Sequence, residues 1–140
     1  MTSLALSCGV RPEPLRGEKM PAINFQERFA DAVETHEKRQ TFRPKRKHPI
    51  KQGDVLYLYT GMRTKQCRKL RTTVCIDTVP GTINEHSMSL LTDGGTLEVW
   101  PEGTPLNWFA WKDGFNKWTE MRDWFKKRYG LPFEGVLISW

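Results

Sequence analysis

Two periods of hydrophobic and polar residues run along this chain, and the contrast between them lays out its elements. Phe25, Phe29 and Val33 recur at i, i+4 and i+8, while Glu27, Arg28, Asp31 and Glu34 fall opposite. That is the pattern of an amphipathic helix, and it ends near Thr35. Asn24-Phe-Gln-Glu27 has capping-box order, which makes Asn24 the expected cap. Residues 39–43 then read as a short strand halted by Pro44. Residues 44–49, bounded by Pro44 and Pro49, continue neither ladder nor helix and form a basic loop.

Beyond the turn signal Gln52-Gly53-Asp54, residues 55–60 are nearly all apolar and β-prone, as in a strand buried on both faces. Gly61 breaks it, and residues 62–69 are a basic loop or the opening of the next strand. Residues 72–79 read as one strand with Val74 and Ile76 on one face, closed by Pro80-Gly81. Residues 83–91 and 96–100 are strands joined by a hairpin turn at Asp93-Gly94-Gly95. After a loop over 101–105, residues 106–111 form a helical turn ended by Asp113-Gly114. Asn116 caps a last helix, with Trp118, Met121, Trp124 and Phe125 at helical spacing. Lys126, Lys127 and Arg128 suit its C-terminal dipole, and Gly130 and Pro132 stop it. Residues 133–140 are a closing strand. The class is α+β. A helix near the start and a strand at the end favour a small β-barrel over an open sheet, since the last strand can pair with an early one.

Composition refines this outline. The 140 residues suit a single domain with one core, and 38% hydrophobic against 27% charged residues is ordinary for a soluble protein. Residues 1–19 contain Gly9, Pro12, Pro14 and Gly17 and lack periodicity, so they read as a flexible leader ahead of a domain at 20–140. No apolar run reaches the ~18 residues of a membrane span and no basic n-region opens a signal peptide, so a cytoplasmic, membrane-free protein is expected. The three cysteines lack close pairing and read as reduced thiols. With the three histidines they make no zinc spacing, so neither metal nor cofactor is implied.

The formal charge of +6 changes the picture most, because it is unevenly spread. Two basic clusters, 38–51 and 63–71, flank the strand at 55–60, which points to a polyanion or a phosphate-bearing ligand, or to a solvated basic surface. In a strand over 39–43 the period of two puts Arg39, Thr41 and Arg43 on one face, with Lys38 at the entry. Thr and Arg facing together form either the wall of a polar pocket or an edge strand facing water. Lys45, Arg46 and Lys47 sit on the Pro-flanked loop, where they contact phosphates or only solvent. Arg63, Thr64, Lys65 and Arg68 follow a buried strand, where loops often form a wall of a site. Tyr57, Tyr59, Trp108 and Trp111 offer stacking surfaces or core packing. Asp113 lies in an aromatic segment, as a ligand-orienting acid or a plain Asp-Gly turn. There is no P-loop, nucleophile elbow, HExxH or dinucleotide fingerprint.

His36-Glu-Lys-Arg-Gln-Thr-Phe-Arg43, followed by Gln52-Gly-Asp-Val-Leu56 and Asp113-Gly-Phe115, resembles the ASCH domain, a branch of the PUA-like superfamily, and in particular small ASCH proteins of bacteriophages and bacteria. The family motif runs G-x-K-x-x-E-x-R. This chain keeps Lys38 and Arg43, and has His36 for the glycine and Thr41 for the glutamate. The likeness covers residues 21–140. It implies a PUA-like β-barrel with flanking helices that binds RNA or a modified nucleoside in a cleft at the barrel mouth. Lys38, Thr41 and Arg43 would form the floor, and Arg63, Lys65 and Asp113 the rim. One branch, the N4-acetylcytidine amidohydrolases, has threonine where Thr41 stands. The likeness therefore also implies a hydrolase with Thr41 as nucleophile, Lys38 as base and Asp113 as acid or orienter. Ribonuclease or protein-binding accessory roles are lesser alternatives, and the oligomeric state is left open.

Overall fold

The computed structural model describes residues 21–92 and 95–140. The leader at 1–19 and the Asp93-Gly94 pair of the hairpin turn lie outside the described residues. The order is β1 (Ala22–Phe25), α1 (Glu27–Glu34), β2 (Gln40–Arg43), β3 (Val55–Thr60), β4 (Arg68–Val74), β5 (Asp77–Ile83), β6 (Ser87–Leu91), β7 (Leu97–Pro101), α2 (Thr104–Lys112), α3 (Trp118–Tyr129) and β8 (Phe133–Ser139). The fold is mixed α+β, with three helices and two sheets, β1-β3-β4 and β2-β8-β5-β6-β7. Among the described residues the strands close no barrel. The last strand does pair with an early one: β8 runs antiparallel to β2, setting Thr41 opposite Ile138 and Phe42 opposite Leu137.

Several expectations need correction. The first helix begins later than the capping-box order implied, because Ala22–Phe25 is a strand parallel to β3. Asn24 therefore caps nothing; its side-chain oxygen accepts from the Met62 N–H at 2.9 Å, tying β1 to the loop after β3. The single strand expected over 72–79 is two. Cys75 bonds back to the turn before β3, donating to Asp54 O and accepting from Gly53 N–H, while the Ile76 N–H donates to Ser139 O. The chain thus changes sheets at Cys75–Ile76. Pro80 and Gly81 lie inside β5 rather than closing it. Pro80 is tolerated because β6 pairs only with Gly81 to Ile83, so the β6 side of β5 is open at the proline. Gly81 is required there, since a Cβ would stand 2.8 Å from Ser89 O.

The inward faces build one core. Phe42 meets Phe125 and Phe133 edge-on at 5.8 and 5.6 Å between centroids, and so joins β2 to α3 and β8. Leu56 and Leu58 are fully buried, whereas Val55 is exposed, so β3 is not apolar-packed along its whole length. A bulge between Leu58 and Tyr59 resets the alternation and lets Tyr59 and Thr60 turn inward as well. Cys75 is a buried free thiol. Cys67 is disulfide-bonded, against the expectation of reduced thiols throughout. No helix among the described residues is long and apolar enough to cross a membrane, and no cluster of His, Cys, Asp and Glu there could hold a metal ion.

Candidate functional site

The site begins at the end of α1. Thr35 closes the helix and His36 follows with φ 69°, a left-handed turn that reverses the chain. The Lys38 N–H then donates to Ala32 O at 2.9 Å, which fixes the start of β2 and turns the lysine side chain inward. From the other side, α2 ends at Lys112. Asp113 caps it, and Gly114 (φ 97°) turns the chain away. A Cβ on Gly114 would stand 2.6 Å from a Phe29 ring carbon and 3.4 Å from Lys38 Cδ, so α1 and the α2 terminus can meet only over a glycine.

Lys38 and Asp113 converge between these elements, both almost wholly buried. The ammonium donates to the backbone oxygen of Asp113 and lies 3.6 Å from its carboxylate Oδ1. That oxygen accepts no well-formed hydrogen bond. The Phe25 and Phe29 rings stand 5.8 and 5.2 Å from Lys38 Nζ, adding weak cation–π attraction in a dry setting. On β2, Arg43 donates through Nε to Thr41 Oγ1 at 2.9 Å and through a terminal nitrogen to Asn24 O at 2.7 Å. Its guanidinium lies 4.8 Å from the Phe25 ring centre.

Burial sets the electrostatics. It lowers the Lys38 amine to about 8, helped by the nearby Arg43 charge and opposed by Asp113. Burial likewise raises the Asp113 carboxyl to about 6, with Lys38, Arg43 and the Gln40 amide pulling the other way. Both groups are therefore moved toward neutrality, which brings a proton donor or acceptor into reach near physiological pH.

These side chains line a cleft of ≈ 290 Å³, small enough for a nucleoside-sized ligand. Lys38, Thr41, Arg43 and Asp113 supply its polar wall. Trp124, Phe125, Arg128 and Tyr129 supply an aromatic and cationic wall from α3, and Asn24 and Gln26 stand at the β1–α1 junction. Tyr129 stacks on Phe133, 4.5 Å between centroids and 18° between planes, while Arg128 lies 5.4 Å from the Trp124 ring centre.

The basic residues expected around the site divide sharply. Arg39 is exposed, donates to His36 O and does not line the cleft. Lys45, Arg46 and Lys47 lie on the exposed loop, where Arg46 and Lys47 line a separate hollow of ≈ 540 Å³ with His48 and Asp54. Arg63, Thr64 and Lys65 are exposed on the β3–β4 loop, and none lines the cleft. Thr64 is used locally, its hydroxyl donating to Gly61 O. Arg68 is paired with Glu34 at 2.8 Å. The expected rim is thus not the β3–β4 loop. The position is taken by Arg128 and Tyr129, which the sequence presented as a helix terminus suited to its dipole. Tyr59 is core and Tyr57 lies under Lys69, whereas Trp108 and Trp111 are exposed.

Compared with known protein families, with curated proteins and with solved structures, the chain matches none.

Proposed function

We propose that this chain is a PUA-like ASCH domain that binds RNA or a modified nucleoside in the cleft between β2, α3 and the end of α2. The observation that carries this reading is the convergence of Lys38, Thr41, Arg43 and Asp113 in one nucleoside-sized cleft with aromatic walls. A planar base suits the faces of Trp124 and Tyr129. Arg43 and Arg128 suit a phosphate or carbonyl oxygen, and Asp113 a base N–H. The backbone at His36 adds support. Its positive φ falls where the ASCH motif has glycine, a residue that takes this conformation without strain. In this reading the two sheets, joined at Cys75–Ile76, are the two sides of a PUA-like barrel.

A second reading, hydrolysis of N4-acetylcytidine, draws on Lys38 and Thr41 lining the same cleft. Thr41 Oγ1 attacks the acetyl carbonyl carbon while Lys38, as the free amine, takes the hydroxyl proton. The tetrahedral intermediate expels N4, which receives that proton, and leaves acetyl-Thr41. Water, deprotonated by Lys38, then releases acetate and restores the hydroxyl. The Arg43 N–H on Thr41 Oγ1 stabilises negative charge developing there. Asp113 holds the Lys38 amine in place.

Equilibrium binding of cytidine, N4-acetylcytidine and short RNAs, with product analysis of each mixture, tests both readings. Binding that weakens in Arg43→Gln and Lys38→Met without product supports recognition alone. Cytidine release supports the hydrolase, and absence of binding to all three ligands overturns both.

A further inference from the structure

Helix α2 presents two tryptophans to solvent, Trp108 at 53% and Trp111 at 63% exposure. A soluble domain has no packing reason to place two large indoles outward on one short helix. They stand three residues apart, neighbours on the helix surface separated by about 4.5 Å along the axis. Neither is needed for the core, which α2 meets through Leu106, Phe109 and Ala110.

The surroundings indicate what the rings face. Trp111 lines a shallow hollow of ≈ 190 Å³ together with Lys38, Gly114, Phe115 and Asn116. Lys38 and Phe115 also line the nucleoside-sized cleft, so the two depressions share a wall and the buried lysine stands between them. Two lysines bring positive charge to this face. Lys112 holds its ammonium 4.6 Å from the Trp108 ring centre, Lys117 is exposed at the start of α3, and α2 contains no acid. Glu37 is the only acid lining the hollow.

We infer that Trp108 and Trp111 form a stacking platform for a single-stranded polynucleotide, so that the ligand of the cleft is a nucleoside carried within a strand. This rests on the nucleoside reading of the cleft and goes beyond it. The nucleoside enters the cleft, the adjoining base lies over the shallow hollow against Trp111, and the next reaches Trp108. Lys117 and Lys112, the latter seated over one face of Trp108, supply positive charge for the phosphates. Exposed aromatics interleaved with lysines bind single strands with little sequence preference, because every base has a face to stack.

The test compares the full chain with Trp108→Ala, Trp111→Ala and the double variant. Both side chains are exposed and outside the cleft, so folding should be unaffected, and circular dichroism checks that it is. Two probes are titrated: free cytidine or N4-acetylcytidine, and a nine-nucleotide single-stranded RNA with the same nucleoside at its centre. The expected result is an affinity for the oligonucleotide about tenfold or more above that for the nucleoside, an advantage the double variant loses. Affinity for the free nucleoside should be unchanged. Oligonucleotide affinity equal in wild type and double variant overturns the platform. A shift of the protein from dimer to monomer on substitution also overturns it, by assigning this face to a second copy of the chain. If no free nucleoside binds but the oligonucleotide does so in a tryptophan-dependent way, the platform stands and the cleft reading fails.

Discussion

The Lys38 ammonium lies 3.6 Å from a carboxylate oxygen of Asp113, and both residues are 3% exposed. Two opposite charges removed from water attract strongly, but each has also lost its hydration, and for such pairs that loss commonly equals or exceeds the attraction. An interaction of this kind is poorly explained as a source of stability. It is better explained by what an amine titrating at about 8 and an acid titrating at about 6 can do for a ligand, and it makes the pH dependence of folding diagnostic.

For Lys38 the folded chain gives up its proton at about 8 and the unfolded chain near 10.5, so between these values the unfolded state binds more protons and stability rises with pH. For Asp113 the folded carboxyl holds its proton up to about 6 and the unfolded one only to 3.8. In that lower window the folded state binds more protons, and stability falls as pH rises. The pair's contribution is therefore least favourable between about 6 and 8. Urea unfolding across pH should show Asp113→Asn losing the downward limb between about 4 and 6. A limb of the same size in that variant would assign it to other carboxylates.

Removing one partner should be worse than removing both. Lys38→Met leaves the Asp113 carboxylate buried and unpaired, a loss of about 3–5 kcal/mol at neutral pH. Because that carboxyl is already raised, protonation relieves the loss, which should shrink at pH 5. Adding Asp113→Asn should restore most of it. A double variant whose destabilisation equals the sum of the two single ones would mean that the residues do not interact.

The elements of this fold were legible in the sequence where one physical rule dominated. The apolar periods of α1 and α3 and the β-prone run of β3 needed no tertiary information, and the pairing of the last strand with an early one followed from the edge argument. The reading failed where a distant partner overrode local chemistry. Asn24 has capping chemistry but is drawn into β1 by parallel pairing with β3. Cys75–Ile76 carries no turn residue, and the chain breaks there because Asp54, Gly53 and Ser139 supply its hydrogen bonds.

The candidate site was half legible for the same reason. Strand periodicity set Thr41 and Arg43 on one face with Lys38 at the entry, but counted Arg39 with them. Asp113 stood out as an acid in an aromatic segment before the ASCH likeness set it at the same cleft. Basic residues on loops gave no comparable signal, because charge density alone does not say which way a loop faces. Arg63 and Lys65 do not line the cleft, while Arg128 and Tyr129 were hidden in a helix end whose cations already had a sufficient local explanation. The i, i+4 and i+5 relation of Trp124, Arg128 and Tyr129 could have suggested a common wall, had the direction of the helix been known.

Backbone conformation at two turns should be separable by substitution. His36 adopts φ 69° without being glycine, so His36→Gly should stabilise the protein by about 1 kcal/mol by relieving left-handed strain. The reverse holds at Gly114. Gly114→Ala combines φ 97° with a Cβ 2.6 Å from Phe29, and should cost about 2–4 kcal/mol. Thermal or urea unfolding of both variants checks the pair. A neutral Gly114→Ala would show that α1 and the α2 terminus can separate, and that the enclosure of Lys38 is not set by their contact.

Thr41 distinguishes a binder from a hydrolase, and its two conservative variants respond differently under each. Thr41→Ser keeps the hydroxyl that accepts from Arg43, and Thr41→Val keeps the shape while leaving the Arg43 Nε–H without that acceptor. If Thr41 carries the acyl group, Thr41→Ser retains turnover of N4-acetylcytidine and Thr41→Val loses about a thousandfold or more. The wild-type rate should rise with pH through about 8, as Lys38 becomes the free amine. Nucleoside affinity should change far less than turnover in both variants, because the aromatic wall and Arg128 are untouched. Unchanged turnover in Thr41→Val would exclude an acyl-threonine intermediate even if cytidine were released. Absence of turnover in wild type, with Thr41→Val weakening binding only severalfold, would leave this threonine as a hydrogen-bonding member of a recognition site.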